Sequence, residues 1–79
     1  MNAGIIELDL HGKNKYQARI SIDYALRHSM GVYRIRLIHG YNSGTELRDM
    51  IFEEYSVRPE VIRLERAGDG ATVLVLREL

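Results

Sequence analysis

Seventy-nine residues are enough for one domain with a modest core, and the expected extent is a single domain over residues 1–79. Eleven Lys and Arg balance eleven Asp and Glu, which excludes a broad electrostatic pull on nucleic acid, so any such site must be built locally from cations. Absence of cysteine excludes disulfide and thiolate chemistry, 46% apolar and 28% charged residues argue against disorder, and no apolar run approaches a membrane span.

Ile5 to Leu10 alternates, with Ile6, Leu8 and Leu10 on one face and Glu7 and Asp9 on the other, as a half-buried strand does. The preceding Met1–Gly4 is too brief for a secretory signal, so the expected location is cytoplasmic. His11-Gly12-Lys13-Asn14 breaks the run. Asn14 is a plausible N-cap, with Gln17 three residues on in a variant of the capping box. The spacing predicts a first helix from Lys15 to Met30 with Gly31 as its stop. Its periodicity gathers Ala18, Ile22, Ala25, Leu26 and Ser29 on one side. Tyr16 and Ile20 fall on the other, as ordinary surface apolars or a partner surface. His28 suits a helix C-terminus.

Val32 to His39 reads as a second strand, with Tyr33, Ile35 and Leu37 alternating against Arg34, Arg36 and Ile38. Arg34 and Arg36 therefore share a face, either solvated or turned to phosphate. Gly40 to Gly44 is a glycine-bounded loop. Ser43 or Thr45 opens a second helix with an apolar stripe of Leu47, Met50, Ile51 and Tyr55. It ends near Tyr55, because Arg58 precedes Pro59 and is biased away from helix. Val61 to Arg66 is a third strand, Ala67-Gly68-Asp69-Gly70 a hairpin turn, and Ala71 to Leu76 a fourth strand. Val73-Leu74-Val75-Leu76 is apolar on both faces and wants a central place in the sheet.

The order β-α-β-α-β-β with right-handed crossovers places both helices on one face. The fourth strand then inserts between the second and third. The expected fold is an α/β two-layer sandwich with a four-stranded mixed sheet of order 1-2-4-3.

One phrase occurs twice: Leu8-Asp9-Leu10-His11-Gly12 and Leu37-Ile38-His39-Gly40. If the two strands are parallel neighbours, Asp9, His11 and His39 reach the same end of the sheet, beside two loops that lead into helices. Open sheets bind ligands at such ends, and glycine-bounded loops present N–H groups to phosphate. Asn42 and Ser43 add hydrogen-bonding groups, Arg48 lies one turn into the second helix, and Lys13 and Lys15 flank the first loop. Asp9 and His11, two apart, suit either a carboxylate–histidine pair for proton transfer or two metal ligands. A divalent metal such as Mg²⁺ is compatible with them, but the ligand spacing does not indicate one, and no residue is assigned to metal. The plainer reading is that each His-Gly serves a tight turn.

These residues, together with Gly44, Leu47-Arg48 and Gly70-Ala71-Thr72-Val73, resemble the Smr (small MutS-related) domain from about Ile6 to Leu76. The resemblance implies a two-layer sandwich like the C-terminal domain of a translation initiation factor, and members associated with DNA nicking, RNA cleavage and action at stalled ribosomes. The family's Asp-x-His motif falls on Asp9 and His11 and its His-Gly loop on His39, Gly40 and Gly44. The implied catalytic residues are thus Asp9, His11 and His39. Gly12, Lys13, Arg36, Gly40, Tyr41, Asn42, Ser43, Gly44 and Arg48 are the expected phosphate- or nucleic-acid-binding residues. The family loop commonly reads His-Gly-Lys-Gly-x-Gly; here Tyr41 and Asn42 replace the lysine and the middle glycine. That removes a cation and offers a tyrosine to stack on an unpaired base, worth about 1–3 kcal/mol.

The expected function is an endonuclease acting on phosphodiester bonds of DNA or RNA, with a non-catalytic nucleic-acid or ribosome-binding module as the alternative. The expected partners are DNA or RNA, with the ribosome or MutS-related repair proteins beyond them, and no membrane.

Overall fold

The computed structural model describes residues 4–40 and 45–78. Its elements run β1 (Ile5–Asp9), α1 (Lys15–Arg27), β2 (Arg34–Ile38), α2 (Thr45–Tyr55), β3 (Arg63–Arg66) and β4 (Ala71–Val75). The strands form one sheet of order β1-β2-β4-β3, with β1 and β2 parallel and β4 antiparallel to both its neighbours.

Alternation along the strands divides the sheet into two faces. Leu10, Ile35, Leu37 and Leu74 are fully buried beneath the helices. They meet Ala18, Ile22, Ala25 and Leu26 of α1 and Leu47, Met50, Ile51 and Tyr55 of α2, the stripes predicted from helical spacing. The β4 strand is buried at four of its five positions, as its two apolar faces require. The opposite face carries charge. Arg36 Nη1 donates to Glu7 Oε2 at 2.8 Å across β1 and β2, and Arg63 Nη2 to Glu65 Oε2 at 2.8 Å along β3. Val75 is fully buried although its partners in the ladder are Arg34 and Arg63; arginine stems are long and apolar enough to cover such a neighbour while the charged heads stay in water.

Asn14 caps α1 in a full capping box. Its side chain accepts from Gln17 N at 2.8 Å, and the Gln17 side chain accepts from Asn14 N at 3.0 Å. The helix ends at Arg27, three residues before the predicted Met30. His28 Nδ1 bonds the Tyr24 carbonyl at 2.9 Å while its ring stacks on Tyr24, and Ser29 Oγ donates to Leu26 O at 2.7 Å. These side chains satisfy the last carbonyls, so no further helical turn is needed. The second strand is shorter than Val32–His39 because Val32 N closes a turn onto Ser29 O. The third starts at Arg63 rather than Val61 because Val61 N closes one onto Arg58 O. Tyr16, Ile20 and Tyr24 are exposed along one stripe of α1, and among the described residues no helix is long and apolar enough to cross a membrane.

A polar clasp joins the two helices outside the core. Arg19 meets Glu54 through two 2.7 Å bonds, and Asp23 Oδ1 accepts from Tyr55 Oη at 2.7 Å and from Arg58 Nη1 at 3.0 Å. Burial and the Asp23 carboxylate push the Tyr55 hydroxyl far above the usual tyrosine range, so it stays protonated and donates. Tyr55→Phe is expected to cost about 1.5 kcal/mol, measured by urea unfolding, because the bond goes to a charged acceptor.

Candidate functional site

Parallel pairing of β1 and β2 brings Leu8 beside Leu37 and Asp9 beside Ile38. The alignment continues past the strands: Leu10 N donates to Ile38 O at 2.7 Å, and a Cβ built on Gly40 would lie 3.7 Å from His11 Cβ. The two His-Gly phrases are therefore out of step by one residue, so that Leu10 corresponds to His39 and His11 to Gly40. Both histidines reach the same end of the sheet, but the pleat sends them to opposite faces.

His11 stands at the exposed edge. Its Nδ1 lies 2.6 Å from Asp9 Oδ1, and its backbone N–H donates to the same oxygen at 3.2 Å. An ionised carboxylate can only accept, so Nδ1 donates to it, and in the neutral imidazole the lone pair is on Nε2, directed away from Asp9. The His11 hydrogen bonds hold the Asp9 carboxyl below the usual carboxylate range, with a smaller contribution from the Lys13 cation. This is the geometry of a carboxylate that orients a histidine for proton transfer.

His39 is only 3% exposed. Its Nδ1 lies 2.9 Å from Gly40 O and its Nε2 3.0 Å from Thr72 Oγ1. The carbonyl must accept, so Nδ1 is protonated and Nε2 accepts from the Thr72 hydroxyl. Both nitrogens are thus occupied inside the fold, and the side chain does not join the Asp9–His11 pair. The backbone amides of His39 and Gly40 both donate to Gly70 O, at 2.9 and 3.0 Å, which carries the β2–β4 pairing beyond Ile38. Gly12 and Gly40 have φ of +81° and +79°, the left-handed region in which a side chain is strained, so each His-Gly makes a sharp exit from its strand.

Among the expected binding residues, Lys13 is exposed beside the pair, its amide closing a turn onto Leu10 O. Arg36 lies on the open sheet face beside Glu7. Arg48, on α2, is half-buried and nearest Asp49, at 3.6 Å. Tyr41, Asn42, Ser43 and Gly44 lie outside the described residues. Two features escaped the reading of the sequence. Thr72 anchors His39, and the hairpin from Ala67 to Ala71 forms a groove with Arg36, Ile38 and Gly40. The Asp-Gly turn and the 1-2-4-3 order together contained the signal for that groove, since they bring the hairpin to the end of β2. Among the described residues no three His, Cys, Asp or Glu are grouped to hold a metal ion.

Two helices on a four-stranded mixed sheet of order β1-β2-β4-β3, with an Asp-x-His pair at the end of the first strand, define a small α/β two-layer domain. The Smr domain family model matches residues 8–77, and the chain belongs to that family. The crystal structure of the Smr domain of Thermus thermophilus MutS2 is similar to it, with a TM-score of 0.82 and 32% identity over 92% of this chain and 99% of that one. A search of curated proteins finds no match.

Two outcomes follow from the geometry. Thr72→Val, which leaves the buried His39 Nε2 without a donor, is expected to cost about 1–3 kcal/mol in urea unfolding. The Asp9 carboxyl is expected to titrate below the usual range in an NMR pH series and to return toward it in His11→Ala. Because its folded pKa is depressed, its contribution to stability is present above the unfolded value and is lost as pH falls through the folded one, and His11→Ala should flatten that acid limb.

Proposed function

We propose that this domain cleaves phosphodiester bonds in nucleic acid, with His11 as the proton-transfer group and Asp9 as the residue that orients it. The observation that carries the reading is the 2.6 Å contact of His11 Nδ1 with Asp9 Oδ1 at an exposed strand end. His11 Nε2 takes a proton from the attacking oxygen, which is the ribose 2′-hydroxyl in RNA or a water in DNA. That oxygen bonds to phosphorus, the bond to the leaving oxygen breaks, and the leaving oxygen takes its proton from solvent. Lys13 offers a cation beside the pair. His39 is a positioning residue: its bonds to Gly40 and Thr72 hold the strand exit against which His11 stands.

RNA is the better-supported target, because its 2′-hydroxyl supplies an attacking oxygen inside the substrate and a lone histidine base then suffices. The competing reading, a non-catalytic binding module, is favoured by the zero net charge and by Tyr41 and Asn42 in place of the family's loop residues. Cleavage of labelled single-stranded RNA and branched DNA by the wild type and by His11→Ala, each with and without chelator, separates the two. The expected outcome is cleavage of RNA by the wild type and a rate at least about 100-fold lower in His11→Ala with its circular dichroism unchanged. Binding without cleavage of either substrate by the wild type would overturn the catalytic reading.

A further inference from the structure

The groove beside the Asp9–His11 pair is unassigned by that chemistry, and its walls are specific. Register places Asp9, Ile38 and Ala71 in one row across β1, β2 and β4 on the open face, with neighbouring strands about 4.8 Å apart. Ile38 and Ala71 form an apolar floor one strand away from the carboxylate that orients His11. Arg36 closes one side, and the turn Gly68-Asp69-Gly70 closes the other. Gly40, against which His11 packs, belongs to the same lining. A nucleotide with its phosphate at His11 Nε2 can therefore lay its base on this floor without reaching past a second element.

We infer that the groove receives an unstacked guanine base of the nucleotide next to the scissile phosphate, an assignment that rests on the reading of Asp9 and His11 as a phosphodiester site. The open, shallow floor suits the flat face of a single base, whereas a duplex keeps both base faces stacked and offers only their edges. Guanine fits the two charged walls. It alone among the four bases offers a carboxylate two adjacent donors, N1–H and N2–H₂, matching Asp69, while O6 and N7 accept from a guanidinium. Arg36 lines the groove and gives Nη1 to Glu7; its guanidinium has further donors at Nε and Nη2. Asp69 is exposed, so its carboxylate oxygens are accessible as acceptors. It also repels a phosphate from the turn, which leaves the Lys13 and His11 side of the row for the backbone of the nucleic acid.

The test uses three 2′-O-methyl RNA hexamers, uridine throughout except at one position that is guanosine, adenosine or abasic. Binding to the full chain is followed by NMR of the backbone amides. The expected result is that the guanosine hexamer binds at least about fivefold tighter than the abasic one and shifts the amides of Gly68, Asp69, Gly70 and Ala71. Asp69→Asn, an exposed substitution that leaves the fold alone, should bring guanosine and adenosine to within about twofold of each other, since one of the two paired acceptors becomes a donor. Ala67→Leu, which narrows the groove from its half-buried rim, should lower all binding to the abasic level. Equal binding of the abasic and guanosine hexamers, with shifts at Asp9 and His11 alone, overturns the base site and leaves the phosphodiester reading standing. Equal binding of guanosine and adenosine by the wild type overturns the choice of base. Absence of shifts at Asp9, His11 and the turn with every hexamer overturns both.

Discussion

The antiparallel insertion of β4 between β2 and β3 is the constraint on which the rest of this domain depends. The strand is buried on both faces and fills the centre of the sheet, so it fixes β2 along its length. At the far end of β2 the same pairing continues into irregular chain: Gly70 O receives the amides of both His39 and Gly40, and the Thr72 hydroxyl donates to the His39 ring. A buried imidazole left without partners would cost about as much as a lost hydrogen bond or more. The strand exit is therefore held from backbone and side chain together, and Gly40 is held where His11 packs against it. The exposed pair owes its position to contacts made on the buried side of the sheet.

This arrangement gives the repeated His-Gly phrase two different meanings. A strand reverses the face of its side chains at each residue, so a one-residue offset between otherwise parallel phrases suffices to separate them. In the first strand, Leu10 takes the core position and His11 the open one. In the second, the core position falls to His39, whose partners are a carbonyl and a hydroxyl where His11 has a carboxylate. The same residue type becomes a structural pin in one place and an exposed partner of a carboxylate in the other. Exposure and the identity of the acceptor decide which.

The sequence made the architecture legible for a physical reason. The apolar stripes of α1 and α2, the double-faced apolar run in β4 and the Asp-Gly turn each admit few placements. With right-handed crossovers they leave the 1-2-4-3 sheet as the consistent answer. Boundaries were less legible because His28, Ser29 and Val32 close turns through contacts that periodicity does not encode. At the site, Asp9 and His11 were readable from their spacing, since residues two apart on a strand share a face. The burial of His39 was not read from its proximity to a glycine, although the parity with Leu37 carried it. Thr72 was visible only as part of a family motif, because its partner lies 33 residues away in sequence.

Charge shows what a neutral chain offers an anion at the end of β1. On the open face, Arg36 is set against Glu7 and Arg63 against Glu65 and Glu78. On the helix side, Arg19 and Arg58 are drawn to Glu54 and Asp23. These exposed or half-exposed pairs contribute little stability individually, but they neutralise four of the nine arginines locally. Lys13, beside Asp9 and His11, stands outside those pairs. The field at the end of β1 is therefore short-ranged: an anion is attracted once it is within about a Debye length and is not steered from afar. A domain so constructed depends for its specificity on what it contacts after arrival, and the groove between Arg36 and the hairpin turn is the nearest surface able to supply that contact.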